Sequence, residues 1–148
     1  MKISGERNLP GAPEEVYQRL QDPAVLAACI PGCESLEKSG DNEYKMRMKM
    51  LLAAFSGQFE GSVRIADPQP PSSFRLLVEG SGKVGFMKGD GLLKLSANAE
   101  GTTLNYEGDV QVGGTIAGVG QRLIDTTARM MIGRFFDKFV SGGLWGRG

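Results

Sequence analysis

The last third of the chain carries one long helix-like pattern, and this pattern restricts the fold more than any other stretch. From Thr115 to Val140, apolar side chains recur at spacings of three and four through Ile116, Val119, Leu123, Ile124, Thr127, Met130, Met131, Phe135 and Phe139. That spacing places them on one face of a helix, which must be covered. Gly113 and Gly114 before the pattern, and Ser141, Gly142 and Gly143 after it, are start and stop signals. The opposite face holds Gln121, Arg122, Asp125, Arg129, Asp137 and Lys138 and is left to water, while Arg134 lies beside the stripe with its stem available for packing. Small residues, Ala117, Gly118, Gly120 and Ala128, thin the first half. Phe135, Phe136 and Phe139 thicken the second. Such a helix packs tightly at one end and leaves space at the other.

What covers it is legible upstream. Lys2–Leu9 alternates weakly as a first strand, and Pro13 with Glu14 and Glu15 opens a short helix through Val16, Tyr17 and Leu20. Asp22 and Pro23 form a cap and first-turn pair for a second short helix, which Ile30, Pro31 and Gly32 stop. From Cys33 the period changes to two. A short strand at 34–38 turns at 39–42 into a longer one at 43–53, on which Tyr44, Met46, Met48 and Met50 alternate with Lys45, Arg47 and Lys49. One face is therefore covered and the other wet. Phe55, Gly57, Phe59, Gly61, Val63 and Ile65 continue the inward set, and residues 67–73, with three prolines, read as a loop. Phe74, Leu76 and Val78 restart the alternation, residues 80–85 loosen it, and 86–97 resume it with glycines at 89 and 91 that suggest bends or bulges. On the last strand Leu104, Tyr106, Val110 and Val112 oppose Asn105, Glu107, Asp109 and Gln111. The order is strand, two short helices, about six antiparallel strands and one long helix, an α+β chain whose sheet of about seven strands must cover its apolar face with the final helix.

Composition narrows the chemistry. At 148 residues the chain is large enough to bury a core without disulfides or metal. It reads as one domain over 1–140 with a flexible tail at 141–148. Seventeen basic and seventeen acidic residues cancel, so no overall field recruits nucleic acid or an anionic membrane. There is no histidine, which removes the usual neutral-pH general base, the commonest metal ligand and any Ser-His or Cys-His nucleophile pair. With no secretory leader and no apolar run of spanning length, a cytoplasmic location is expected, with reduced thiols at Cys29 and Cys33.

Four segments carry a family resemblance: Asp22-Pro23; Ala28-Cys29-Ile30-Pro31-Gly32-Cys33-Glu34-Ser35-Leu36; Val112-Gly113-Gly114 with Gly120-Gln121-Arg122-Leu123-Ile124-Asp125; and Ala128 with Phe135-Phe136. On these residues the chain resembles the CoxG family of carbon monoxide dehydrogenase subunits, within the START and polyketide-cyclase-like superfamily of helix-grip folds. The resemblance implies a curved sheet gripping a long helix around a lipophilic ligand, and a non-catalytic accessory role. The implied partner is a molybdenum hydroxylase such as carbon monoxide dehydrogenase, coupled to the membrane, with a quinone as the suggested ligand. No covalently bound cofactor and no metal are expected. Location would then be cytoplasmic or peripheral at the inner face of the cytoplasmic membrane.

The candidate ligand wall is Met46, Met48, Met50, Phe59, Leu76, Val78, Phe86, Tyr106, Leu123, Thr127 and Met131. Methionine is flexible and polarizable, so it fills irregular cores and also lines adaptable apolar sites. A cavity wall and a solid core share this composition. Cys29 and Cys33 read as small residues at a helix-to-strand corner rather than a redox or metal pair, because Pro31 and Gly32 intervene and no further ligand completes a site. The glycines at 80, 82, 85, 89 and 91 lie between strands and so fail the context of a phosphate cradle. They remain bends, bulges or a thin wall at a cavity mouth. Arg122 and Asp125 suit a surface ion pair or a polar contact with a partner enzyme. A small cyclase or hydrolase using Tyr106, Glu107 or Asp109 as acid or base is the alternative, though the acidic pair alternates outward. A ligand-free interaction module is the other.

Overall fold

The computed structural model describes residues 1–50 and 56–142. Expectations placed on residues 51–53, on Phe55 and on 143–148 lie outside the described residues. The elements are β1 (Lys2–Leu9), α1 (Pro13–Arg19), α2 (Pro23–Cys29), β2 (Cys33–Gly40), β3 (Glu43–Met50), β4 (Gly57–Gln69), β5 (Ser73–Gly82), β6 (Gly85–Asn98), β7 (Gly101–Gly113), a 3-10 turn (Thr115–Val119) and α3 (Gln121–Ser141). Seven strands among the described residues form one antiparallel sheet in the order β1-β7-β6-β5-β4-β3-β2. The chain thus runs down the sheet by hairpins, apart from β1, which returns to pair with the last strand.

Local chemistry sets the element ends. Pro13 opens α1 with Glu14 and Glu15 in its first turn, where the helix dipole favours negative charge. At α2 the Asp22 carboxylate accepts a hydrogen bond from the Ala24 N–H at 2.9 Å, and Pro23 follows at the position that needs no donor. Gly32, with φ +78°, turns the chain out of this helix into β2, and its Cβ position is filled by the Lys49 carbonyl.

Three features depart from the sequence reading. First, β4 runs to Gln69 rather than stopping before a loop at 67. Asp67 adopts φ +48° and the pairing slips between Ala66 and Gln69, so an irregular strand end carries the first proline and the turn is correspondingly short. Second, residues 80–85 are a tight hairpin, with Gly82 paired to Gly85, and Gly89 and Gly91 sit in unbroken register with both neighbouring strands rather than at bulges. Third, the final pattern is not one helix. Gly114 at φ +81° and Gly120 at φ +99° bracket the 3-10 turn, and α3 begins only at Gln121. Its end also lies slightly past the expected one, since Ser141 closes the helix and the Gly142 N–H donates to the Lys138 carbonyl at 2.8 Å.

The largest apolar cluster lies under the C-terminal half of α3. Phe136 and Phe139 pack there with Phe74, Leu104, Leu95 and Ile65 from the sheet and with Val16, Tyr17, Leu20 and Cys29 from the two short helices. Each fully buried side chain of this size contributes about 1.5–3 kcal/mol. Two polar groups are satisfied within it: the Tyr17 hydroxyl donates to the Ser73 carbonyl at 3.1 Å, and the Thr102 hydroxyl, fully buried, donates to the Gly11 carbonyl at 2.7 Å.

Candidate functional site

Toward the N-terminal half of α3 the two layers do not interdigitate. They enclose a cavity of about 340 Å³, within the range of sites that hold small organic molecules. The sheet wall follows from the period-two alternation. Met46, Met48 and Met50 of β3, Phe59 and Val63 of β4, Leu76 and Val78 of β5, Leu93 of β6, and Tyr106, Val110 and Val112 of β7 all border it. Ile124, Thr127, Ala128, Met131, Ile132, Phe135 and Phe136 of α3 face them. Leu20, Leu26 and Ile30 from the short helices, Ile116 from the 3-10 turn and Ile3 from β1 complete the boundary.

The lining is almost entirely carbon, with two hydroxyls as exceptions. Thr126 turns its hydroxyl onto the Arg122 carbonyl at 2.9 Å, whereas Thr127 makes no hydrogen bond among the described residues. The Tyr106 hydroxyl likewise has none, although its ring is held against Phe136. A cavity lined almost wholly by carbon suits a lipophile.

Of the candidate wall, the structure gathers Met46, Met48, Met50, Phe59, Leu76, Val78, Tyr106, Thr127 and Met131 around this one space. Phe86 and Leu123 are not there. Inward positions on β6 are the odd-numbered ones, so Phe86 points to the outer face, 44% exposed, over a shallow depression shared with Glu60, Glu79 and Lys88. A phase error of one residue moves a strand side chain to the opposite face. Leu123, 42% exposed, falls in the first turn of α3, because the break at Gly120 interrupts the phase counted from Ile116. The candidate wall omits Val110 and Val112, although their alternation with Tyr106 already places them on the same face. It also overlooks Leu26 and Ile30, for which no periodic signal exists.

Charges are kept outside. Asp90 pairs with Arg75 at 2.9 Å and Glu60 with Arg47 at 3.7 Å on the outer face. The Met1 ammonium hydrogen-bonds the Asp109 carboxylate at 3.0 Å and holds its pKa below the usual carboxylate value. Asp125 pairs with Arg129 one turn on, at 3.0 Å, rather than with Arg122, and this partner raises the Arg129 pKa. Burial pushes both thiols up. At Cys29 the nearby Lys138 and Arg19 oppose it; at Cys33 the Ser35 carbonyl opposes it and Glu34 adds to it. Raised thiols are poor nucleophiles at neutral pH. No helix among the described residues is long and apolar enough to cross a membrane.

A curved antiparallel sheet closed by a long helix, with an apolar hollow between them, defines a helix-grip protein of the START and polyketide-cyclase-like class. Within that class the chain belongs to the CoxG family of carbon monoxide dehydrogenase subunits, whose pattern matches residues 5–141. Membership supports an accessory role associated with that enzyme. A conserved protein from Geobacillus kaustophilus is similar along nearly its whole length, at 36% identity and a TM-score of 0.92, covering 96% of this chain and 94% of that one. Proteins from Chromobacterium violaceum and Thermus thermophilus share the fold at 18% identity and a TM-score of 0.70, each comparison covering 95% of both chains. No curated protein matches the chain.

Proposed function

We propose that this chain is a non-catalytic accessory protein that carries a lipophilic molecule, such as a quinone, in the cavity between sheet and helix. In this role it serves a molybdenum hydroxylase of the carbon monoxide dehydrogenase type and links that enzyme to the membrane through peripheral contact. The observation that carries the reading is the carbon-lined hollow of about 340 Å³ under α3, placed where a solid core would otherwise complete the fold. Leaving such a hollow unfilled forgoes dispersion contacts along its whole lining, a cost that a bound lipophile offsets. Family membership supplies the enzyme partner. Native mass spectrometry of the protein mixed with menaquinone or with a fatty acid tests the reading. A one-to-one complex with either is the expected result, and its absence at several-fold excess of both would count decisively against a carrier.

A further inference from the structure

On β6 and β7 part of the sheet wall of the cavity carries no side chains. Gly89 and Gly91 are successive inward positions of β6, and Gly108 of β7 lies directly across from Gly91. Asp90 is drawn to the outer face by Arg75, and Asp109 by the Met1 ammonium. The cavity nevertheless borders both residues as well as the exposed Glu107, so what it meets there is peptide backbone. From strand rise and spacing, this bare floor runs about 7 Å along β6 and, at Gly91 and Gly108, about 5 Å across to β7, with Val110 beside Gly89.

Nothing in the fold requires glycine at position 89. At Gly108 an added Cβ would lie 2.9 Å from the Asp90 carbonyl, so close backbone approach explains that glycine. At Gly89 an added Cβ would meet no atom within 4 Å, the register is regular on both sides, and φ is not in the left-handed region. Glycine weakens a strand interior. Its place here is explained by the space it leaves.

We infer that the Gly89, Gly91 and Gly108 floor seats the flat ring of a ring-bearing ligand, making Gly89 the residue that selects a planar head over a plain alkyl chain. This rests on the lipophile-carrier reading and adds an orientation to it. Peptide planes offer a flat strip about as long as a bicyclic aromatic ring. The methionines of β3, which adapt to irregular shapes, then accommodate the remainder of the ligand. Tyr106 occupies the next inward position on β7 beside Gly108, and its ring leans over Gly5 of β1, away from β6, which leaves the glycines uncovered.

The test is calorimetric titration with 2-methyl-1,4-naphthoquinone and with palmitic acid on wild type, Gly89→Val and Ala128→Val. Valine suits a strand and meets open space at 89, so the variant is expected to fold, as circular dichroism will check. Gly89→Val should weaken the naphthoquinone by about tenfold or more while palmitate changes by less than about threefold. Ala128→Val, which adds bulk on the helix wall instead, should treat the two ligands alike. Equal losses of both ligands in Gly89→Val, or the same selective loss in Ala128→Val, would overturn the floor. Wild type that binds palmitate but not the ring would overturn it too, leaving the carrier reading intact. Wild type that binds neither removes the carrier reading itself, and the floor with it.

Discussion

Tyr106 lies against Phe136 with ring centroids 5.9 Å apart and planes inclined by 26°, and this stacked pair joins β7 to α3 where the cavity gives way to the solid core. The Arg7 guanidinium stands 5.7 Å from the Phe136 centroid, and Phe135 meets the ring edge-on at 5.2 Å. The aromatic half of the helix is thus what holds the sheet, and the half without aromatic side chains is free to stand off from it.

Phe136→Ala should cost about 3–5 kcal/mol, because the ring is only 5% exposed and its neighbours are anchored to two different layers. Urea unfolding of the variant measures this. A loss below about 1 kcal/mol would mean that the neighbours collapse into the space, contrary to the rigid junction described.

Met48→Glu should abolish binding of fatty acid or quinone while changing the far-ultraviolet circular dichroism little. Met48 is 7% exposed yet borders the hollow, where entering water could hydrate a carboxylate that a solid core would leave unsolvated. Titration and spectra on the same preparation separate the cases: an unfolded variant would mark the methionine as core filling.

The thiols predict a stability change on the alkaline side. Burial raises the pKa of Cys29 and Cys33, so the folded state favours the protonated form. That contribution is fully present below the ordinary thiol pKa and is lost as pH rises through the raised folded value. Wild type should therefore lose more of its urea midpoint between about pH 7 and about pH 10.5 than a Cys29→Ala, Cys33→Ala double variant does. Parallel pH profiles would show that the thiols titrate alike folded and unfolded.

Two glycines of the same concave face should respond to alanine with opposite signs. At Gly61 an added Cβ would collide with the Glu79 carbonyl, for a loss of about 1–3 kcal/mol. At Gly89 the methyl enters open space, so Gly89→Ala should gain about 0.5–1 kcal/mol by relieving the flexibility of glycine in a strand. Thermal melting of both variants decides; a destabilised Gly89→Ala would show that the hollow is narrower than described.

Element types are readable because each rests on neighbouring residues. Asp22-Pro23 caps its helix through a bond spanning two residues, and Tyr44, Met46 and Met48 alternate because the backbone itself alternates. Phase is less readable where the chain has no side chains to display it. Glycines at 80, 82, 85, 89 and 91 erase the alternation of β5 and β6, so sequence alone puts Phe86 on the wrong face, and a lone Gly120 breaks a helix whose apolar spacing runs on past it.

By itself, the order of residues determined an α+β chain with one apolar sheet face and a final helix thin at its start and thick at its end. Only the tertiary structure decided that the layers part under the helix half that lacks aromatic side chains, that Gly89 faces the resulting space, and that Asp90 and Asp109 are held outside it. The physical reason is that hydrophobicity specifies which side chains leave water, whereas the separation between two packed layers depends on how bulky residues far apart in sequence, such as Tyr106 and Phe136, prop them against each other.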